Sequence, residues 1–279
     1  VPVYCVMAVA VKESAVTFPL ALVLWDLACG QSWITAWRRS RSTWLTLSLL
    51  AAFMLWNDAY RTSIGRSVSL DTLTGNAATQ MQALAYLLRQ WALPLWLNID
   101  PDLAVQQDFS GILPALGLFI ALVLGMALTW HKRRCISFAL AWVMLHLLLV
   151  YVFVPRLDVA NDRQLFLAAW PLGLALVVEL QRCLPCRVAA GVVVGLLLTG
   201  TMLTAGRNQD YGSEVSLWQQ TVRLSPDKSR VHANLAYAYQ LADLPVQARL
   251  EYLQALRLDP GNVKARLNLR RLNARHPHP

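Results

Sequence analysis

The chain has 279 residues, of which 56% are hydrophobic and only 15% are charged, and its formal net charge is +9. An ordinary soluble domain carries roughly a quarter charged residues, so this composition excludes one such domain and favours lipid as the main solvent. The basic residues fall between apolar runs and near the C-terminus rather than in one stripe with aromatic side chains, so we expect no nucleic-acid partner.

The first segment, Val1 to Val11, is apolar and has neither a basic start nor a small-residue cleavage site. We therefore expect the chain to begin inside a membrane protein, with further sequence upstream. Lys12 and Glu13 follow directly and precede another apolar run. Charged groups at membrane depth are costly unless they pair or face a wet cavity. We therefore give equal weight to two interpretations of Lys12 and Glu13. They have a functional role, or they are structural, either as an ion pair at the membrane interface or as part of the turn after a preceding helix.

The apolar runs predict about six membrane-spanning helices, because a bilayer core about 30 Å thick needs roughly 20 helical residues. The expected spans lie near residues 14–29, 44–57, 112–130, 135–154, 165–181 and 188–205. The first, second and fifth of these runs are short, so flanking residues or neighbours must complete the crossing. In the last span, Gly191 and Gly195 would let a neighbouring helix approach closely.

Charged residues between the runs orient these spans, since short cytoplasmic loops are enriched in Lys and Arg. Basic clusters follow the first, third and fifth spans: Arg38, Arg39 and Arg41; His131, Lys132, Arg133 and Arg134; Arg182 and Arg187. The loops 58–111 and 155–164 carry at least as many aspartates as arginines, which places them on the other side. Residues 1–206 are thus predicted to form a multi-pass transmembrane domain, with the rest of the chain non-cytoplasmic. In a bacterial inner membrane, that side is the periplasm.

The outer loop 58–111 contains one apolar stretch, from Met81 to Leu97, which is predicted to be a buried or interfacial helix. Arg89 and Pro94 argue against a straight seventh crossing, because a central charge costs several kcal/mol and an interior proline breaks the hydrogen-bond ladder. If this segment crossed the membrane, the C-terminal domain would lie on the opposite side.

The second outer loop offers a candidate anion site with Arg156, Asp158, Asp162 and Arg163. Arginine there would clamp a phosphate through bidentate hydrogen bonds. The alternative, weighed slightly more, is a solvated loop whose charges neutralise one another.

Other chemistry-bearing residues are isolated. His146 lies inside an apolar span, where a histidine more often hydrogen-bonds to a neighbouring helix than serves as a ligand. Cys183 and Cys186 form a lone CxxC, which is weak evidence for metal or redox chemistry. We expect no metal site and no resident cofactor.

Past Arg207 a 34-residue self-similarity begins, in which Ser225-Pro226 recurs as Asp259-Pro260. This is the period of the tetratricopeptide repeat (TPR), a helix–turn–helix unit. With Ser229 as the first residue of the repeat, His232 is the one departure from the consensus. The matching residues are Leu235, Ala236, Tyr239, Ala248, Tyr252, Ala255 and Pro260. The sequence therefore predicts a TPR domain over residues 207–279, with one full repeat at 229–262.

Helices at 214–224 and 263–274 are predicted to flank this repeat, the last one resembling a solubilising cap because it is rich in arginine. A peptide-binding superhelix usually needs about three repeats, so packing against the membrane domain or another subunit is favoured over client binding. The predicted fold class is all-α: a polytopic transmembrane helix bundle followed by a short TPR α-solenoid.

Four short motifs, taken in order, resemble a known family. Lys12-Glu13-Ser-Ala-Val-Thr-Phe-Pro19 is followed by an apolar run that ends in Trp25-Asp26; Tyr86 to Pro94 precedes Asp108-Phe-Ser110; Asn161-Asp162-Arg163-Gln-Leu-Phe166 precedes the fifth span; and Arg207 leads to Leu217-Trp218. This order is similar to that of the membrane O-mannosyltransferase-like family with C-terminal TPRs (transmembrane and TPR-containing proteins) and its bacterial relatives. Asp162 and Phe166 replace the glutamate and tyrosine of the family motif.

The resemblance implies a multi-pass glycosyltransferase of the GT-C type, which takes a sugar from a polyprenyl-phosphate carrier on the non-cytoplasmic face. It implies that Lys12 and Arg163 hold the carrier phosphate, with Glu13 and Asp162 orienting them. The family's catalytic acidic residues would precede Val1, so catalytic residues are not assigned here. The expected partners are the lipid bilayer, the polyprenyl-phosphate sugar as donor substrate, and a protein acceptor or envelope partner at the TPRs. The alternative function is a non-catalytic membrane scaffold that recruits envelope proteins.

Overall fold

In the computed structural model, residues 2–11, 13–56, 70–103, 109–149, 152 and 159–276 are described. Within these ranges the chain forms twelve α-helices and no strand, so the predicted all-α class is confirmed. The composition explains this, because leucine and alanine, which dominate the apolar runs, are strong helix formers.

Eight helices cover the apolar part of the chain. They are α1 (Pro2–Val11), α2 (Phe18–Ala28), α3 (Trp33–Trp56), α4 (Leu70–Ala92), α5 (Phe109–Thr129), α6 (Arg134–Met144), α7 (Leu165–Cys183) and α8 (Cys186–Asp210). A 3₁₀ turn, Glu13–Thr17, leads into α2, another, Asp162–Gln164, leads into α7, and α6 continues as a π-helical segment over Leu145–Leu149. The last four helices are α9 (Glu214–Leu224), α10 (Ser229–Leu241), α11 (Pro245–Leu258) and α12 (Val263–Arg275).

Two of these helices, α7 and α8, are long and apolar enough to cross a membrane. Shorter apolar helical stretches occur at Ala15–Ala28, Leu116–Thr129 and Arg134–Leu148. By length and composition, membrane association is therefore supported at two helices, and the other predicted spans are helical where the structure describes them.

The predicted outer loop 58–111 is largely a helix in its described part, since α4 occupies Leu70–Ala92. The observed helix therefore begins and ends earlier in the chain than the helix that the sequence predicts over Met81–Leu97. Pro94 explains the end, because the residue before a proline is pushed out of the helical region. The polar start of α4 explains why its first turns were not predicted: residues 70–80 lack a continuous apolar run.

The chain divides into two compact units. The first unit comprises Val1–Trp91, Leu103–Val159 and Arg163–Gly191, and the second comprises Ala92–Asp102, Ala160–Asp162 and Val192–Pro279. Helix α8 begins in the first unit and ends in the second. The second unit therefore contains two short upstream segments in addition to the four C-terminal helices.

In the first unit, α6 packs against α2, α5 and α7. Four aromatic rings from three of these helices meet: Trp25 lies edge-on to Phe138 with ring centroids 5.7 Å apart, and Trp142 lies edge-on to Trp170 at 5.3 Å. Such edge-to-face pairs contribute about 0.5–1.5 kcal/mol beyond their buried area. This aromatic cluster ties α2, α6 and α7 together.

Helix α7 contains a buried proline, Pro171, whose ring removes one backbone donor. The carbonyl that this donor would bond, four residues earlier, belongs to Leu167. The indole Nε1 of Trp142 on α6 donates to that carbonyl oxygen at 2.8 Å. A side chain of a neighbouring helix thus replaces the hydrogen bond lost at the proline, which lets α7 continue to Cys183.

The turn between α2 and α3 is tightly constrained. Gly30 has a φ of +84°, and a Cβ added there would lie 2.6 Å from Nη1 of Arg134. The left-handed conformation favours glycine at this position, whereas the Arg134 guanidinium, at the end of a flexible side chain, can shift to admit a Cβ.

In the second unit, the four helices follow one another through short turns and pack in sequence. Ser213 and Ser216 form a capping box at the start of α9, Pro245 opens α11, and Asn262 accepts a bond from the Ala265 amide at the start of α12. The core consists mainly of small residues around one tyrosine: Ala233, Ala236, Ala248, Tyr252, Ala255, Ala265 and Leu272. Small side chains at these positions bring the helix backbones close together.

Candidate functional site

The candidate site is an apolar cleft in the first unit with a volume of about 690 Å³. Residues of α1, of the Glu13–Thr17 turn, of α2, α6 and α7 form its walls, among them Ala8, Ala15, Phe18, Trp25, His146 and Leu167. Ligand pockets typically have volumes of about 300–1,000 Å³, so the cleft is large enough for part of a lipid chain. A second apolar cavity of about 470 Å³ lies between α2, α5 and α6 and includes Leu24, Phe119 and Met144.

His146 is the one ionisable side chain lining the cleft in the described part of the chain. It lies on the π-helical segment Leu145–Leu149, a local widening that is frequent at functional sites. Its ring packs on Trp142 with centroids 4.5 Å apart. Its Nε2 is buried and has no hydrogen-bond partner among the described residues, so the interhelical bond expected from the sequence is not seen for this atom.

The four residues predicted to hold a carrier phosphate are only partly described. Lys12 lies outside the described residues, and so do the side chains of Glu13 and Asp162. Arg163 is exposed in the 3₁₀ turn that leads into α7. The other two members of the second outer loop, Arg156 and Asp158, also lie outside the described residues.

Two of these residues are nevertheless close in sequence to walls of the cleft. Ala15 and Thr17, which line it, follow Lys12 by three and five residues, and Leu167 follows Arg163 by four. The two motifs therefore continue into walls of the same apolar cleft.

The basic clusters that oriented the spans form ion pairs within the first unit. Arg39 contacts the buried Asp26 at 2.9 Å, and the carboxylate of Glu179 is bonded by Arg182 at 3.0 Å and also by Arg133. Sequence reasoning missed the role of Glu179, although its spacing of three residues from Arg182 is typical of a helical ion pair. These pairs join α2 to α3 and the start of α6 to the end of α7.

In the second unit, the repeat positions lie mostly in the interior. Leu235, Ala236, Ala248, Tyr252 and Ala255 are buried. Tyr239 packs at the edge of the core, while Pro260 is exposed just after α11 ends.

The hydroxyl of Tyr252 donates to Oε1 of Gln240 at 3.1 Å. Burial raises the pKa of Tyr252 to about 12. The phenol therefore stays neutral throughout the physiological range and keeps its donor.

His232, the departure from the repeat consensus, is a buried polar link. Its Nδ1 lies 2.6 Å from Oε2 of Glu251 on α11, and its Nε2 lies 2.8 Å from the carbonyl oxygen of Pro226. The hydrogen bond to Glu251 raises the pKa of His232 above its usual value, burial opposes this, and the Pro226 carbonyl and the charges of Glu251 and Asp227 add to the rise. Sequence reasoning missed this link, because Glu251 lies on a different helix.

No group of three or more histidine, cysteine or acidic side chains able to hold a metal occurs among the described residues. All five cysteines are free thiols, and Cys183 and Cys186 are exposed at the α7–α8 turn. No protein family, no curated protein and no solved structure matches the chain.

Proposed function

We propose that this chain is the carrier-binding part of a GT-C type glycosyltransferase, similar to the O-mannosyltransferase-like family with TPRs, in which about six helices cross a bacterial inner membrane. Its substrate is a sugar linked to a polyprenyl phosphate, bound from the non-cytoplasmic side. The observation that carries this proposal is the apolar cleft, whose walls continue in sequence from both phosphate-binding motifs.

The cleft suits the hydrocarbon part of such a substrate. A polyprenyl chain is apolar and flexible, and its transfer into an apolar cleft is favourable in proportion to the area removed from water. Among the residues that form the walls, only Thr17 and His146 carry polar side-chain atoms besides the Trp25 and Trp142 indoles. An isoprenoid chain in this cleft would carry its phosphate towards one end of it.

Cationic groups are what the phosphate end requires. The leaving group in sugar transfer is the carrier phosphate, whose developing charge is stabilised by fixed cationic donors in a poorly hydrated site. Lys12 and Arg163 are the proposed donors, and Glu13 and Asp162 are proposed to orient them.

The second unit is proposed to be a short TPR solenoid on the non-cytoplasmic side that presents a protein acceptor. Support comes from the 34-residue repeat and from helices observed at Glu214–Leu224 and Val263–Arg275, where the repeat predicted them. The alternative is a non-catalytic scaffold that recruits envelope proteins through this unit. One observation favours it: apolar side chains of the unit, including Leu241, Val246 and Leu250, are exposed.

The first test replaces Arg163 in the full-length protein. Arg163→Ala is expected to lower sugar transfer from a polyprenyl-phosphate donor by about 100-fold or more, which is typical for removal of one oxyanion-stabilising donor. Arg182→Ala is the matched control, because Arg182 is also an exposed arginine but forms an ion pair with Glu179 and is not proposed to bind the phosphate. Transfer rates in membrane vesicles are the measurement, and equal rates for both variants would remove Arg163 from the site.

A matched pair of tryptophan substitutions tests the cleft itself. Ala8→Trp fills the cleft, whereas Val3→Trp adds the same ring on the same helix at a residue that is 69% exposed and is not among those lining the cleft. Ala8→Trp should raise the KM for the polyprenyl-phosphate donor at least tenfold, and Val3→Trp should leave it unchanged. A scaffold would show no transfer in any variant while still binding its partners.

A further inference from the structure

A short non-helical segment of the second unit, Leu97 to Pro101, is held by the turn between α9 and α10. The two regions are more than 120 residues apart in sequence. The side chains of Asn98 and Asp100 are buried there. Contacts from Gln220, Ser225, Lys228 and Arg230 reach both the side chains and the backbone of this segment.

Asp100 is the centre of these contacts. Its Oδ1 accepts hydrogen bonds from Nζ of Lys228 at 2.7 Å and from Nη2 of Arg230 at 2.5 Å, and its Oδ2 accepts one from Nε of Arg230 at 2.8 Å. The Asp100 side chain is only 4% exposed. Bidentate arginine–carboxylate pairs of this kind select strongly for the geometry of a carboxylate.

The backbone of the segment is bonded as well. The hydroxyl of Ser225 donates to the carbonyl oxygen of Asp100 at 3.0 Å and accepts from Nδ2 of Asn98 at 2.8 Å. Lys228 Nζ donates to the carbonyl oxygen of Pro101 at 2.7 Å. The Asn98 Oδ1 accepts from the Asp100 amide at 3.1 Å, which fixes the local conformation. The turn therefore contacts two side chains and two carbonyls of one short peptide.

The positive charges at the start of α10 are explained by the same contacts with Asp100. Lys228 occupies the N-cap of this helix without a side-chain cap bond, and Arg230 lies in its first turn. Cations are unfavourable at a helix N-terminus, where the macrodipole and the free amides favour anions. Helix stability does not explain these two residues, whereas the carboxylate of Asp100 compensates both.

We propose that the α9–α10 turn is a peptide-binding site for a non-helical Asn-x-Asp segment, which Asn98–Asp100 occupies in cis and which the same motif of a partner protein occupies after displacing it. Tethering keeps the cis segment at a high effective concentration, so a partner must displace it. The site does not depend on the transferase proposal, because none of its residues lines the apolar cleft.

The first experiment uses the full chain in lipid nanodiscs and a fluorescent peptide with the sequence of residues 95–103, LWLNIDPDL. Asp100→Ala vacates the carboxylate position, and the peptide should bind this variant at least tenfold more tightly than the unaltered chain. A peptide with asparagine in place of the central aspartate should bind at least tenfold more weakly, as should the original peptide to a chain that also carries Lys228→Ala and Arg230→Ala. Equal binding in any of these comparisons overturns the proposal.

A second measurement does not depend on the folding of the Asp100→Ala variant. Ile99→Cys places a partly buried thiol within the bound segment of an otherwise unaltered chain. Millimolar LWLNIDPDL should raise the alkylation rate of this thiol severalfold, as quantified by mass spectrometry at that residue. The aspartate-to-asparagine peptide should not. An unchanged rate with the first peptide, or the same increase with both, contradicts exchange at the site.

Discussion

At the scale of single residues, His232 shows how a departure from a repeat pattern becomes a structural link. The imidazole joins the Glu251 carboxylate of α11 to the Pro226 carbonyl before α10. It bonds both groups at once only when both ring nitrogens carry hydrogen, which is the protonated form. The second unit therefore contains a buried histidine whose pKa lies above its usual value and whose protonation completes this link.

This link predicts that α10 and α11 become less stable as the pH rises. The pKa of His232 is raised in the folded chain, chiefly by its bond to Glu251, whereas an unfolded histidine titrates at about 6.5. The stabilisation is therefore fully present below that pH and is lost as the pH rises through the folded-state value.

Hydrogen-exchange protection factors for α10 and α11, measured by mass spectrometry, should be lower at pH 8 than at pH 5.5. His232→Asn and Glu251→Gln should each flatten this dependence. Protection that is independent of pH in the unaltered chain would contradict the proposed charged link.

Ala236, Ala248 and Tyr252, which the predicted repeat register places in the interior, are buried. The register did not identify polar partners. Asp100 and Lys228 are 128 residues apart, and no periodicity relates them. Pairs of this kind depend on tertiary packing, so the sequence alone does not reveal them.

At the scale of elements, the apolar runs predicted helices well because length and hydropathy are local properties. The interruptions inside those helices were harder to predict. Pro171 would be expected to break α7, yet the helix continues because Trp142 of α6 donates to the Leu167 carbonyl. The π-helical segment at Leu145–Leu149 has no marker in the sequence, since it reflects how the end of α6 packs.

Removing the indole donor should weaken this junction. Trp142→Phe keeps an aromatic ring but removes the hydrogen bond to the Leu167 carbonyl, and a hydrogen bond of this kind contributes about 0.5–1.5 kcal/mol. Trp170→Phe, in the same aromatic cluster, is the control because it leaves that hydrogen bond intact. Thermal unfolding in detergent, followed by thiol exposure of the native cysteines, should show a larger drop in midpoint for Trp142→Phe. Equal drops would mean that ring packing alone matters.

At the scale of the whole molecule, the predicted topology places the exposed native cysteines and the second unit on opposite sides of the membrane. Cys29, Cys183 and Cys186 lie at turns that the basic clusters assign to the cytoplasm, and all three are exposed. Val246 in the second unit is 63% exposed and is assigned to the other side of the membrane.

A membrane-impermeant thiol reagent should therefore label Val246→Cys in intact cells and leave the three native cysteines unlabelled until the membrane is opened. Labelling is quantified residue by residue. The Lys132→Cys variant is a further cytoplasmic control, because Lys132 is exposed in the α5–α6 turn. If the native cysteines were labelled and position 246 were protected, the predicted orientation would be wrong, and donor binding from the periplasmic face would be excluded.

The turn at Gly30 has a practical consequence for anyone who maps this protein. Reporter tags and epitope insertions are commonly placed in short hydrophilic links between predicted membrane helices, such as the four residues between α2 and α3. Here that link combines a left-handed backbone with a guanidinium packed where a side chain would begin. A fusion at this link would distort the neighbouring helices and misreport their sidedness, whereas the exposed end of α12 leaves room for one.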